Sequence, residues 1–110
     1  MEPTPRQLKI YSTIDGDEPF EGWMEALKDL AARAVIRTRL ERVEDGNFGV
    51  HRSVGDGVWE LIFDVGPGYR VYYGQEGKSV VLLLGGGDKS TQVKDIKRAK
   101  RYWQDYLGRG

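Results

Sequence analysis

Two short glycine-containing breaks, at 66–68 and 75–78, divide the second half of the chain into three strand-like runs. The runs are Val58–Val65, Tyr69–Gly74 and Val80–Leu84. Connections this short make an antiparallel meander the simple solution. If Val65 faces Tyr69 across Gly66-Pro-Gly68, then Asp64 faces Arg70, Phe63 faces Val71 and Ile62 faces Tyr72. Side chains alternate across a strand, so Trp59, Leu61, Phe63, Val65, Tyr69, Val71 and Tyr73 share one face, a good core for helices. Glu60, Ile62, Asp64, Arg70 and Tyr72 share the other. A turn at 75–78 adds Ser79, Val81 and Leu83 to that mixed face. The expectation is a half-open sheet face with a central arginine, which a one-residue slip would invert.

The rest of the chain supplies one more strand and the helices. Gln7–Tyr11 alternates polar and apolar, as a half-buried strand does. Pro19 suits a first helical turn, and Phe20, Trp23, Leu27 and Leu30 follow at helical spacing. Asp29 is placed to cap a second helix with Val35, Ile36, Leu40 and Val43 on one side and Arg33, Arg37 and Arg39 largely away from it. Gly46 or Asn47 suits a left-handed C-terminal cap. Asp88-Lys-Ser-Thr91 caps a last helix carrying Val93, Ile96, Ala99, Trp103 and Tyr106 or Leu107, which Gly108 stops. The order is strand, two helices, three strands, helix: an α+β chain forming one domain over residues 1–110.

Net charge is zero, which argues against a generic nucleic-acid binder, but the charge is unevenly spread. Residues 1–29 and 43–88 each carry −4, residues 30–42 carry +3 and residues 89–110 carry +5. A local basic patch can contact phosphate on a molecule that is neutral overall, although charged helix faces are also routine. Cysteine is absent, so neither a disulfide nor a thiolate metal site is available. The acids lack ligand spacing, so no metal site and no cofactor are expected. No apolar run is long enough to span a bilayer, and Met1–Pro5 lacks signal-peptide character, so the expected setting is the cytoplasm, with no membrane partner.

Several blocks together resemble one family. They are Phe20…Trp23…Leu27, Asp45-Gly-Asn-Phe-Gly49, Gly57-Val-Trp-Glu-Leu61, Gly66-Pro-Gly-Tyr-Arg-Val-Tyr-Tyr73 and Leu84-Gly-Gly-Gly-Asp-Lys-Ser-Thr-Gln92 with Asp95-Ile96. In this order and spacing, across residues 8 to 107, they resemble the phage-related addiction-module-killer branch of the RelE/HigB toxins. The resemblance implies a RelE-like fold, with an N-terminal helical pair packed on a small, twisted, mainly antiparallel sheet. It implies a type II toxin–antitoxin system with a cognate antitoxin, often of helix-turn-helix type, and ribosome-dependent cleavage of mRNA that inhibits translation. ParE-like members of the wider superfamily poison gyrase instead, and fold alone does not settle function. A non-catalytic member acting by protein binding is the alternative.

Cleavage by an internal 2′-hydroxyl needs a proton acceptor, charge stabilisation at the phosphate and a proton donor for the leaving oxygen. With one histidine in the chain, a two-histidine mechanism is excluded. Arg70 matches the Gly-Tyr-Arg of RelE-like toxins, whose arginine contacts the scissile phosphate; its structural alternative is a cross-strand pair with Asp64. Lys89 lies between a glycine run, open to close ligand approach, and a helix start that favours an anion. His51, in the loop before the sheet, is a candidate general base, and Arg52 beside it a phosphate contact. Tyr72 would stack on a base from the open face. Gln92 and Lys94 complete the expected RNA contacts. RelE nucleases carry lysines on the strand preceding Gly-Tyr-Arg; here that strand holds Glu60 and Asp64, which would repel RNA.

Overall fold

The computed structural model describes residues 4–109; residues 1–3, where the segment read for a leader begins, and residue 110 lie outside it. The elements run β1 (Gln7–Ile10), α1 (Pro19–Ala26), α2 (Leu30–Glu44), β2 (His51–Gly55), β3 (Val58–Ile62), β4 (Tyr69–Glu76), β5 (Val80–Asp88), a 3-10 turn (Lys89–Thr91) and α3 (Gln92–Gly108). The five strands form one sheet in the order β1-β5-β4-β3-β2, antiparallel except where β1 joins β5. The fold is α+β, with the helical pair on one face of the sheet and α3 on the other. Among the described residues no helix is long and apolar enough to cross a membrane.

Local chemistry sets the helix ends. Pro19 opens α1, and the Asp29 side chain accepts a hydrogen bond from the Ala32 N–H to cap α2. Gly46 takes the left-handed conformation after α2, at φ 89°. The buried stripe of α2 is Ala32, Ile36, Leu40 and Val43; Val35 is exposed instead. Leu30 and Val93, both expected on buried stripes, also face solvent.

The core is split by the sheet. On the α1/α2 side Phe20, Met24, Ile36 and Val43 pack on Leu61, Phe63, Tyr69, Val71 and Tyr73, as strand alternation predicts. On the other side Tyr11, Val58, Tyr72, Leu82 and Leu84 pack against Ala99 and Trp103 of α3. The face expected to be half open is therefore covered. The second turn explains the error. Glu76 pairs with Val80, leaving Gly77–Ser79 as the loop, so Val81 and Leu83 face the helical pair while Leu82 and Leu84 require a cover. Burying that apolar surface is what holds α3 down.

The glycine run is not a loop. Gly85–Gly87 continues β5 beside Tyr72, Val71 and Arg70 of β4. A Cβ on Gly86 would overlap the Trp23 ring, and one on Gly87 would overlap the Asp95 carboxylate. These two glycines let α1 and α3 approach the sheet, not a ligand. Gly86→Ala should accordingly cost about 1–3 kcal/mol by overpacking. The expected readout is a lower urea midpoint with a changed tryptophan emission; an unchanged midpoint would show that Trp23 moves freely.

Candidate functional site

The site begins with a buried acid. Glu60 of β3 is fully buried on the α3 side of the sheet. A lone carboxylate there would be strongly disfavoured, and Glu60 is surrounded by donors instead. Arg52 Nε of β2 lies 2.5 Å from Glu60 Oε1, and Gln92 Nε2 of α3 lies 3.2 Å from both carboxylate oxygens. Arg70 Nε of β4 lies 3.9 Å away, an ion pair without hydrogen-bond geometry. Three elements thus converge on one carboxylate, and sheet register makes this possible. Arg52 is directly opposite Glu60, while Arg70 is opposite Ile62 and so diagonal to Glu60. Asp64, the partner expected for Arg70, lies beyond the end of β3.

Arg70 itself is nearly buried. Its Nη1 donates to the carbonyls of Gly68 and Tyr69 at 3.1 and 3.0 Å, and its Nε has no hydrogen-bond partner. The guanidinium forms part of the wall of a groove of about 550 Å³ lined also by Arg39, Ile62, Asp64, Gly68 and Lys89. Arg39 is expected from the helical spacing to lie largely away from the apolar side of α2. It turns back across the sheet end instead, with Nη1 on the Phe48 and Val50 carbonyls, Nη2 on the Ile62 carbonyl and its guanidinium 4.6 Å from the Phe63 ring centre. Burial, with Arg42 nearby, lowers its pKa from the ordinary arginine value. The one sequence signal for Arg39 is its position beside Leu40 on the edge of the buried stripe.

Lys89 stands exposed in the 3-10 turn, its stem against Gly68. It also lines a shallow recess with Lys94 and Lys97, so the basic surface runs from the groove along the start of α3. The turn's N–H groups are not free for an anion. The Asp88 carboxylate accepts from the Ser90 N–H at 2.8 Å and from the Ser90 hydroxyl at 2.5 Å. Those bonds hold the Asp88 carboxyl below its usual pKa. The attraction of Lys89 for an anion rests on its own ammonium.

Three expected site residues lie elsewhere or are otherwise occupied. His51 is on edge strand β2 rather than in a loop, its Nδ1 2.7 Å from the Gly49 carbonyl and its ring between Phe48 and Trp59. It does not line the groove. Tyr72 is 1% exposed, so it offers no ring to a base from an open face. Burial, then the charges of Glu60 and Asp95, raise its pKa so that it stays a neutral phenol. Gln92 is spent on Glu60. The structure brings Arg70, Arg52 and Gln92 together around Glu60, and places Lys89 and Lys94 along the adjoining surface. Among the described residues no cluster of acids and histidine could hold a metal ion.

Fold and site together define an α+β protein with a basic groove braced by a buried acid. A protein of Haemophilus influenzae, described only as uncharacterized, is 51% identical over 98 residues, covering 89% of this chain and 95% of that protein. The chain belongs to the same family as that protein. No protein-family model matches it.

Proposed function

We propose that the chain is a RelE/HigB-like toxin of a type II toxin–antitoxin pair, acting in the cytoplasm as a metal-independent, ribosome-dependent mRNA endoribonuclease. The observation that carries this reading is the groove that gathers Arg39, Arg70 and Lys89, with Arg70 supplied by the Gly68-Tyr-Arg70 segment. A phosphodiester in that groove meets cations from β4, from α2 and from the turn before α3. Fixed cations facing the developing phosphorane charge lower the barrier without reorganising at the moment of reaction. Asp64 and Lys89 both line this groove, and in this reading the carboxylate accepts the 2′-hydroxyl proton while the ammonium protonates the leaving oxygen. Glu60 does not repel RNA, because it is buried beneath Arg52, Gln92 and Arg70. The cognate antitoxin, of helix-turn-helix type by the resemblance, would present acidic side chains to Lys89, Lys94 and Lys97.

A second reading is favoured by the burial of Arg70 and by its bonds to loop carbonyls, which leave little of the guanidinium for a substrate. In that reading the chain acts by binding a protein target. Expression of the chain alone in bacteria, with transcriptome-wide mapping of mRNA 5′ ends, separates the two. Growth arrest with new ends inside translated messages is the expected result. Arrest with intact messages would transfer the proposal to the binding reading.

A further inference from the structure

The outer face of α3 carries charge of one sign. Lys94, Lys97, Arg98 and Arg101 fall within roughly 100° of one another around the helix, opposite the buried Asp95, Ala99 and Trp103. All four are exposed, in a row about 10 Å long at the helical rise. The next acid on this face is Asp105, which is engaged by Tyr11 and Arg109. Lys94, Lys97 and Arg101 make no ion pair among the described residues, and Arg98 reaches only the buried Asp95, at 3.9 Å. Lys100, on the flank of the row, pairs with Asp56 instead.

Two independent features set this row apart from an ordinary solvated helix face. The first is that its charges oppose the helix that bears them. Lys94 and Lys97 stand in the first two turns, where the helix dipole already presents positive charge. Lys94–Lys97 and Arg98–Arg101 are like-charge pairs at i,i+3, and Lys94–Arg98 and Lys97–Arg101 at i,i+4; each such pair weakens a helix. A solvated face normally intersperses acids at these spacings. The chain as a whole is neutral, so the row is not a by-product of a basic composition. The second feature is continuity with the groove. A recess of about 460 Å³ lined by Lys89, Ser90, Thr91, Val93, Lys94 and Lys97 adjoins the start of the row, and Lys89 lines both recess and groove. No acid lines the recess, and the nearby Asp88 carboxylate is engaged by the Ser90 N–H and hydroxyl.

A regular row of cations fits a regularly charged polyanion. A nucleic-acid strand offers one phosphate per nucleotide, and neutralising those phosphates releases condensed counterions. Lysine and arginine heads reach phosphate oxygens without reading base edges. An acidic protein segment has the right sign too, but continuity with the groove favours the strand that the groove would hold. We propose that the outer face of α3 is a track for the phosphate backbone of an RNA strand that also enters the groove. The proposal deepens the RNA reading of the groove, yet it requires binding alone and not cleavage. Recognition along the track is blind to base sequence, and the bound strand must extend beyond the groove by several nucleotides.

The test is binding of fluorescein-labelled oligouridylate and oligoadenylate to the intact protein, read by anisotropy over a range of salt. Lys94→Gln/Lys97→Gln/Arg101→Gln removes three phosphate contacts, so the slope of log affinity against log salt should fall by about 2 for both oligonucleotides. Between about 50 and 200 mM salt the parent should then lose about 20-fold more affinity than the variant. The thermal midpoint should hold or rise, because all four like-charge pairs are gone. Lys94→Arg/Lys97→Arg should keep both affinity and slope. Lys28→Gln/Arg37→Gln removes exposed cations from the opposite side of the sheet and should leave the slope near the parent's. The proposal is overturned if the triple variant keeps the parental slope, or if the Lys28/Arg37 control lowers it as much per charge. It is also overturned if affinity and thermal midpoint fall together, which would make the row a structural element. Tighter binding of an oligoglutamate peptide than of either oligonucleotide would overturn it in favour of an acidic protein partner. The nuclease reading fails separately. Intact mRNA with a reduced slope leaves the track on a protein that binds RNA without cutting it, whereas cleaved mRNA with an unchanged slope removes the track alone.

Discussion

Glu60→Ala is expected to cost the domain about 3–5 kcal/mol of folding stability, the loss typical of removing one member of a buried ionic cluster. The acid is fully buried, and its contacts reach three other elements. Without it, Arg70 keeps its bonds to the Gly68 and Tyr69 carbonyls but loses its counter-charge, while its Nε remains unpaired in the interior. The Gln92 amide loses its acceptor as well, and the missing side chain leaves a void beneath α3. Arg52→Ala makes the informative contrast. Its side chain is 58% exposed, and removing it leaves Glu60 with Gln92 and Arg70, so the loss should stay below about 2 kcal/mol. The short Arg52–Glu60 distance alone would rank these two residues equally, and burial separates them. Urea unfolding of both variants at neutral pH decides the matter. A Glu60→Ala midpoint close to the parent's would mean that packing, not the acid, places Arg70.

How far the sequence reveals this arrangement depends on arithmetic in the turns. The register expected between β3 and β4 was wrong by two residues, placing Asp64 rather than Ile62 opposite Arg70. Because side chains alternate with period two, an even slip preserves the faces, and the core list for these strands survived intact. The slip at the next turn was odd and inverted β5, which is why the sheet's second face read as open. Once Leu82 and Leu84 are known to point there, α3 must cover them and Tyr72 must be buried. β2 escaped notice because His51-Arg-Ser-Val-Gly55 is an edge strand with a single apolar residue and no alternation to detect. The last strand was expected to end at Leu84, with Gly85–Gly87 open to a ligand; that a tryptophan and an aspartate occupy the missing Cβ positions of Gly86 and Gly87 is visible only in three dimensions. Arg70 and Lys89 were each named as candidates from the sequence, but that they line one groove is seen only in the structure. Glu60 was noticed with the wrong sign: strand parity put it on the arginine's face, but whether an acid repels a ligand or braces a cation depends on depth, which one sequence does not encode.

That depth also determines which substitution tests the proposed chemistry. Arg70→Ala would strip Glu60 of a counter-charge, and lost activity could then reflect a disturbed fold. Arg70→Lys keeps a cation beside Glu60 but replaces a planar fork, able to grip two phosphate oxygens, with a point charge. Combined with Lys89→Ala, it is expected to reduce cleavage of translated message by about 10³-fold or more, the scale of losing preorganised charge at a developing oxyanion. Lys89 is exposed and its ammonium forms no ion pair within the described residues, so its loss should change stability by no more than about 0.5 kcal/mol. The single variants need not multiply to the double, since both cations act on one phosphate. Cleavage is read from 5′ ends on a reporter message, and fold from near-ultraviolet circular dichroism of the same preparations. A folded double variant that cleaves at the parental rate removes the groove from the mechanism. If cleavage falls, Glu60→Gln supplies the remaining distinction. It leaves both groove cations in the chain and touches no substrate, so a fall in turnover with substrate affinity retained would assign the buried acid to aiming Arg70 rather than to holding RNA.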